Sequence, residues 1–267
     1  MSSEDKGHKL TGQQQRVLKL LFKFRFVTTW LLADVMGIRR SSVYEVIEYL
    51  VAKGLVIKVY EQSYRMDRKP AYYYLSKAGV TAVRKVMDVK ESVVHALYKN
   101  DTAPDDFIAH SMLLAHCYVA VMKQLPTGSD IFSKTEINRF RQFPKNRPDL
   151  YIRTPEGKEA IIVLADDMPQ YIARKRLDEI IRHSEDEGWT SDNYPIIGFI
   201  LKDQSTKYSL LYTTHKKLED IGMDEDELPI LATCLKELNE PTANTWSTPY
   251  RPKQNIPLLD VAETTSG

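Results

Sequence analysis

Between residues 10 and 50, apolar side chains recur every three or four positions, a spacing that places them on one face of a helix. This pattern predicts three amphipathic helices, over residues 10–24, 28–36 and 42–50. Candidate N-caps of the first two helices are Thr11, Thr28 and Thr29. Gly37 is expected to end the second helix and to allow a tight turn into the third. Ser42 and Glu45 have the spacing of a capping box for the third helix.

Two β-rich runs come next, residues 55–60 and 71–75, and a polar segment with three cations separates them. Helices joined at a glycine turn and followed by such a hairpin have the order of a winged helix-turn-helix, and residues 10–90 resemble that superfamily. In such domains one helix contacts the major groove of DNA and the hairpin contacts the backbone or the minor groove. The candidate DNA contacts are Arg39, Arg40, Ser41, Ser42, Tyr44, Glu45, Arg65, Arg68 and Lys69. Two alternatives remain, a winged helix that binds protein and a small α/β domain whose charges are only solvated.

The pattern changes after a polar segment at residues 100–106, which contains Pro104 and is the expected domain boundary. Helices are predicted at residues 105–124, 170–187 and 228–238. Candidate strands are residues 129–137, 149–153, 159–165, 194–201 and 208–213. Strands and helices in this order predict an α/β domain with a mixed central sheet.

The predicted fold class is therefore α+β, with an N-terminal winged helix-turn-helix followed by an α/β domain. The expected segments are a polar N-terminus (1–9), a DNA-binding domain (10–100), the α/β domain (105–239) and a Pro/Thr-rich tail (240–267). Because the tail has no periodicity, we expect it to be ordered only where another segment holds it.

Composition adds one asymmetry to this picture. The chain is 43% hydrophobic and 27% charged, as in a soluble globular protein, with a net charge of +1. Residues 1–99 hold 18 Lys and Arg against 9 Asp and Glu, whereas residues 100–267 hold 19 against 27. A basic first half suits a polyanion such as DNA. Only two cysteines, far apart, and a polar start without a signal peptide predict a cytoplasmic protein with no membrane partner.

The second half carries short motifs in a recognisable order. Glu136 comes first, a Pro-Asp pair at residues 148–149 then precedes the apolar strand 159–165, and a helix with three cations at residues 174–176 follows. Together with the winged helix, this order resembles the replication-relaxation family of plasmid and mobile-element proteins, and it is similar to the MOB-C class of conjugative relaxases. The resemblance covers residues 10–215. It implies that the second domain is restriction-endonuclease-like, of the PD-(D/E)xK type.

The resemblance also implies a metal site. Asp149 and Asp166 would supply carboxylates to one Mg²⁺. Lys175 would stabilise charge on the scissile phosphate, and Glu136 would be the upstream acid. Leu164 stands where the motif has an acid, and no lysine follows at the motif's spacing. We therefore expect a degenerate site, with Mg²⁺ as a cofactor only if the site is active.

Three functions fit these observations. The favoured one is a sequence-specific DNA-binding protein of a plasmid or mobile element, acting in replication or mobilisation or in their regulation. The second is a metal-dependent, relaxase-like nuclease that nicks DNA. The third is a transcriptional regulator whose acidic domain binds a ligand or a partner. The expected partners are double-stranded DNA, other replication or mobilisation proteins and a second copy of the chain.

Overall fold

The structure is a computed structural model, and it describes residues 10–60, 69–87, 89–138, 140–166, 169–186, 189 and 194–260. The chain divides into two compact units, Met1–Ala115 and His116–Gly267. The division falls inside one long helix, Asp105–Met122. Among the described residues, no helix combines the length and the apolar character that a membrane crossing requires.

The first unit begins with three helices and one short strand. In chain order they are α1 (Gly12–Phe24), β1 (Val27–Thr28), α2 (Thr29–Met36) and α3 (Arg40–Ala52). Two of the three candidate caps are confirmed: Thr11 accepts a hydrogen bond from the Gln14 N–H, and Thr28 accepts one from the Leu31 N–H. Thr29 is instead the first residue of α2. Gly37 ends α2 with a left-handed φ of 66°, which a residue with a side chain adopts only at a cost.

The start of α3 differs from the prediction. Arg39 is the N-cap, and its side chain makes no capping hydrogen bond. The helix begins so soon after Gly37 that the Ser42 N–H already donates to the Arg39 carbonyl, at 3.1 Å. Ser42 therefore lies within the first turn of α3, and the capping box predicted for Ser42 and Glu45 is wrong.

A three-stranded antiparallel sheet completes this part of the unit. It contains β1, β2 (Val56–Val59) and β3 (Tyr72–Leu75) in the order β1-β3-β2. The predicted pairing of the two runs is present, with Val56 opposite Leu75 and Val59 opposite Tyr72. The segment that joins β2 to β3, with Arg65 and Arg68, lies outside the described residues. The next helices are α4 (Lys77–Arg84), α5 (Glu91–Leu97) and α6 (Asp105–Met122).

The second unit is built on a five-stranded sheet. Its elements are β4 (Asp130–Ser133), α7 (Lys134–Ile137), β5 (Leu150–Arg153), β6 (Glu159–Ala165), α8 (Gln170–Glu185), β7 (Ile196–Leu201), α9 (Gln204–Ile221), β8 (Ile230–Cys234) and α10 (Leu235–Leu238). The strand order follows the chain from β4 to β8. The pairs β4–β5 and β5–β6 are antiparallel, whereas β6–β7 and β7–β8 are parallel. The predicted mixed sheet is therefore confirmed.

The predictions at residues 208–213 and 228–238 are wrong. Residues 208–213 belong to helix α9 and not to a strand, because the buried side chains of α9 repeat with the helical period. Residues 228–238 form strand β8 and one helical turn and not a single helix. All five residues of β8 are buried, so its side chains show no alternation that would distinguish a strand from a buried helix.

The segment after α10 packs onto this sheet. Ser247 forms a β-bridge with Ala232 of β8, and Trp246 is fully buried. A Cβ at Gly198 of β7 would lie 2.9 Å from the Trp246 ring, so the glycine leaves space for the indole. The Trp246 Nε1–H donates to the Gln124 side chain at 2.9 Å. These contacts hold the first part of the predicted tail.

Candidate functional site

One candidate site is the outward face of α3. Val43, Ile47 and Leu50 are fully buried on the inner side of this helix. The helical period then turns four predicted contact residues to solvent, Arg40, Ser41, Tyr44 and Glu45. Arg39, at the N-cap, is exposed as well, and Ser42 is half-buried. We call the exposed residues Arg39 to Ser41, Tyr44 and Glu45 the α3 face.

Two residues outside α3 join this face. Trp30 of α2 is 54% exposed, and the Arg40 guanidinium carbon lies 3.8 Å from the centre of its ring. Lys58 of β2 lies 5.5 Å from the Tyr44 ring and forms an ion pair of 2.7 Å with Glu48. Within this pair the Lys58 ammonium donates a hydrogen bond to the Glu48 carboxylate, which raises the pKa of Lys58. The Arg40 guanidinium therefore lies at cation–π distance from an exposed aromatic ring.

Trp30 is not among the residues predicted for this face, although the sequence contains the signal. The buried residues of α2 include Leu31, Leu32 and Val35, and Trp30 lies outside that stripe. Of the predicted hairpin cations, Lys69 is exposed, whereas Arg65 and Arg68 lie outside the described residues.

A second candidate site surrounds Asp149, at the start of β5. This carboxylate is only 1% exposed, and its Oδ2 accepts a hydrogen bond of 2.9 Å from the Leu164 N–H of β6. Two cations approach it. The Lys134 Nζ lies 3.6 Å from Oδ1, and an Arg176 nitrogen lies 4.0 Å from Oδ2. Asp149 is therefore a buried anion with a backbone donor and two cationic neighbours.

Asp166, the second predicted acid, directly follows β6 and is half-buried. Cys117 is a buried free thiol of α6. Burial, together with the charges of Asp166 and Asp149, raises the pKa of Cys117 to about 12. Both carboxylates are thus close enough to the same thiol to act on it electrostatically.

Glu136 has a different environment from the predicted one. It was expected in a strand, but β4 ends at Ser133 and Glu136 lies in the short helix α7. Its carboxylate accepts a hydrogen bond of 2.9 Å from the Ser133 N–H and so closes a capping box. The strand predicted at residues 129–137 is confirmed only as far as Ser133, because this box starts a helical turn directly after β4.

The cation predicted for the site also differs from the one that the structure places there. Lys175 is exposed on α8, whereas the next residue, Arg176, is 8% exposed and contacts Asp149. Arg176 also donates to the Arg147 carbonyl at 2.6 Å. Its position falls on the buried stripe of α8 with Ala173 and Leu177, a periodicity that the sequence contains. No such periodicity in the sequence marks Lys134 as a neighbour of Asp149.

These surroundings do not fit a magnesium ion. Mg²⁺ needs several hard oxygen ligands around one point, and carboxylates usually supply its charge balance. Here two cations already lie within 4.0 Å of Asp149, and its Oδ2 accepts from a backbone N–H. Within the described ranges, no group of three or more His, Cys, Asp or Glu side chains could hold a metal ion. The arrangement is that of a buried charge that ties β5, β6 and α8 together.

A family model described as replication-relaxation matches residues 18–177, more than half of the 267 residues. The chain belongs to the replication-relaxation family. The resemblance noted in the sequence is thereby confirmed, and membership indicates a role in plasmid or mobile-element replication or mobilisation. Searches of curated proteins and of solved structures found no match. The matched region of this replication-relaxation protein includes both the α3 face and Asp149.

Proposed function

We propose that this replication-relaxation protein binds double-stranded DNA at a specific sequence through the α3 face. The observation that carries the proposal is Arg40, exposed at the start of α3 and stacked 3.8 Å from the ring of Trp30. Arginine reads guanine by two parallel hydrogen bonds in the major groove. A guanidinium that is already oriented loses less conformational freedom when it makes such bonds.

The surrounding architecture supports this role. Helices α2 and α3 are joined at the left-handed Gly37, and the β2–β3 pair follows α3. That order is the one found in winged helix-turn-helix domains, whose second helix lies in the major groove. The excess of cations in residues 1–99 supplies the long-range attraction that every DNA-binding domain needs. Lys69, three residues before β3, suits a contact with the DNA backbone.

The surroundings of Asp149 support binding without cleavage. A two-acid nuclease site needs its carboxylates free to hold a metal ion. Asp149 instead accepts from a backbone N–H and lies beside Lys134 and Arg176. We therefore propose a protein that recognises a replication or mobilisation site and leaves the strand intact. Other replication or mobilisation proteins would then act at that site.

A paired substitution tests the α3 face. We expect Arg39→Ala combined with Arg40→Ala to weaken binding to a specific duplex by about 1–3 kcal/mol for each base that the two arginines bind. For each phosphate that they bind, the slope of log affinity against log salt should also fall by about one unit. Fluorescence anisotropy with a labelled duplex over a range of salt concentrations measures both quantities.

Arg84→Ala is the matched control for this experiment. Arg84 is an exposed cation of the same unit on helix α4, and it pairs with Glu91 of α5. It changes the net charge without touching the α3 face, so specific affinity should stay within about twofold of the wild type. Equally weakened binding by the two proteins would mean that only general charge matters, and the proposal would fail.

A further inference from the structure

Helices α8 and α9 of the second unit lie side by side and form one surface. The Arg174 guanidinium donates to the Ser209 hydroxyl at 3.1 Å. One turn further along α8, Asp178 forms an ion pair of 2.7 Å with Lys217. The two helices therefore run in the same direction, and their first halves are neighbours.

Three tyrosines are exposed on these first halves. Tyr171 of α8 is 68% exposed, and Tyr208 and Tyr212 of α9 are 39% and 62% exposed. Tyr208, Tyr212 and Lys216 follow one another at intervals of four residues, so they form one stripe on α9. The opposite side of α9 is buried, which fixes this stripe toward solvent. Exposed aromatic rings at such density mark a binding surface.

Cations accompany the rings. Arg174 and Lys175 follow Tyr171 by one turn, and the Lys216 ammonium lies 4.9 Å from the centre of the Tyr212 ring. Residues 204–218 contain no Asp or Glu, although residues 100–267 as a whole are acidic. The nearby Asp178 is neutralised by Lys217. We call this surface the tyrosine strip: Tyr171, Arg174, Lys175, Tyr208, Tyr212 and Lys216.

We propose that the tyrosine strip binds single-stranded DNA. Aromatic rings interleaved with cations are the means by which proteins hold single strands, since each base presents a flat face to stack on and each nucleotide carries a phosphate. A duplex hides its base faces, so the exposed rings favour a single strand over a duplex. This inference does not rest on duplex binding by the α3 face, because the two surfaces use different residues.

The test uses the full chain and a labelled oligonucleotide of fifteen thymidines. We expect Tyr171→Ala combined with Tyr212→Ala to weaken its binding by about tenfold or more, because two stacking rings are removed. The corresponding Phe variants keep the rings and should bind within about twofold of the wild type. An abasic oligonucleotide of equal length keeps the phosphates but lacks bases, and it should bind the wild type at least about tenfold more weakly.

Ile221→Ala is the matched control, since Ile221 is exposed at the far end of α9. It should leave single-strand affinity unchanged. Affinity for duplex DNA separates the two proposals. The Tyr171→Ala, Tyr212→Ala variant should retain duplex affinity. The Arg39→Ala, Arg40→Ala variant should lose duplex affinity and keep single-strand binding. The inference is overturned if the wild type does not bind the oligonucleotide. It is also overturned if the double Ala variant binds like the wild type, or if the abasic strand binds equally well.

Discussion

Replacing Lys207 by Ala should lower the free energy of unfolding of the second unit by about 3–5 kcal/mol. Lys207 is 1% exposed, and its ammonium hydrogen-bonds both carboxylate oxygens of Glu237, at 2.7 and 2.8 Å. Burial alone would raise the pKa of Glu237, but these bonds keep that pKa below its ordinary value. Without Lys207 the carboxylate would remain buried without a cation. Urea unfolding followed by tryptophan fluorescence measures the change.

Two further variants show whether burial is the cause. Lys217 lies on the same helix as Lys207 and pairs with Asp178, but these two side chains are 38% and 40% exposed, so Lys217→Ala should cost less than about 1 kcal/mol. Lys207→Met combined with Glu237→Met removes both buried charges and should recover most of the stability that Lys207→Ala removes. If Lys207→Ala costs no more than Lys217→Ala, the buried pair does not stabilise the fold.

The second large effect is expected at Asp149. Asp149→Ala should destabilise the fold by about 3–5 kcal/mol, because it leaves the buried Arg176 without its anion and the Leu164 N–H without its acceptor. A carboxylate kept free for a metal would behave differently, since its removal usually spares stability. Thermal unfolding with and without MgCl₂ distinguishes the two roles. We expect Mg²⁺ to leave the Tm of the wild type unchanged.

Lys175→Ala is the control for this experiment, because Lys175 is exposed on α8 next to Arg176. It should change stability by no more than about 0.5 kcal/mol. A stable Asp149→Ala protein, together with a wild type whose Tm rises in MgCl₂, would contradict the structural role and restore the metal site.

Predictions that rest on a local signal in the sequence agree with the structure. Thr11, Thr28 and Gly37 act within three or four residues of their own positions, so their roles as caps and stops are visible in the sequence. The strand at Glu159–Ala165 was likewise predicted with the bounds that the structure shows, because its apolar run is continuous.

A prediction fails where two local signals compete, as at residues 208–213. Tyr208, Tyr212 and Thr213 have high β-propensity. Leu210, Leu211 and Thr214, in contrast, follow the helical period. Burial of these three side chains on one face favours the helix over the strand. Asp203 could have shown this, since it caps α9 through a hydrogen bond of 2.8 Å from the Thr206 N–H.

The candidate sites show a different limit. The Pro-Asp pair identified Asp149, but the sequence does not show that Lys134 and Arg176 meet it, because sheet pairing and a crossover helix bring them together. Likewise, Lys207 and Glu237 are distant in sequence, and nothing local marks them as partners. Sequence patterns identified the kind of residue, and the tertiary fold determined its neighbours.

Selection from a randomised duplex library tests the central claim, sequence-specific DNA binding by the α3 face, most directly. The wild type and the Arg84→Ala control should enrich the same motif. The Arg40→Ala variant should lose the preference at one position of that motif, where Arg40 contacts a base, and bind the remainder more weakly. Enrichment of no motif by the wild type, or of the unchanged motif with unchanged affinity by Arg40→Ala, would contradict the account.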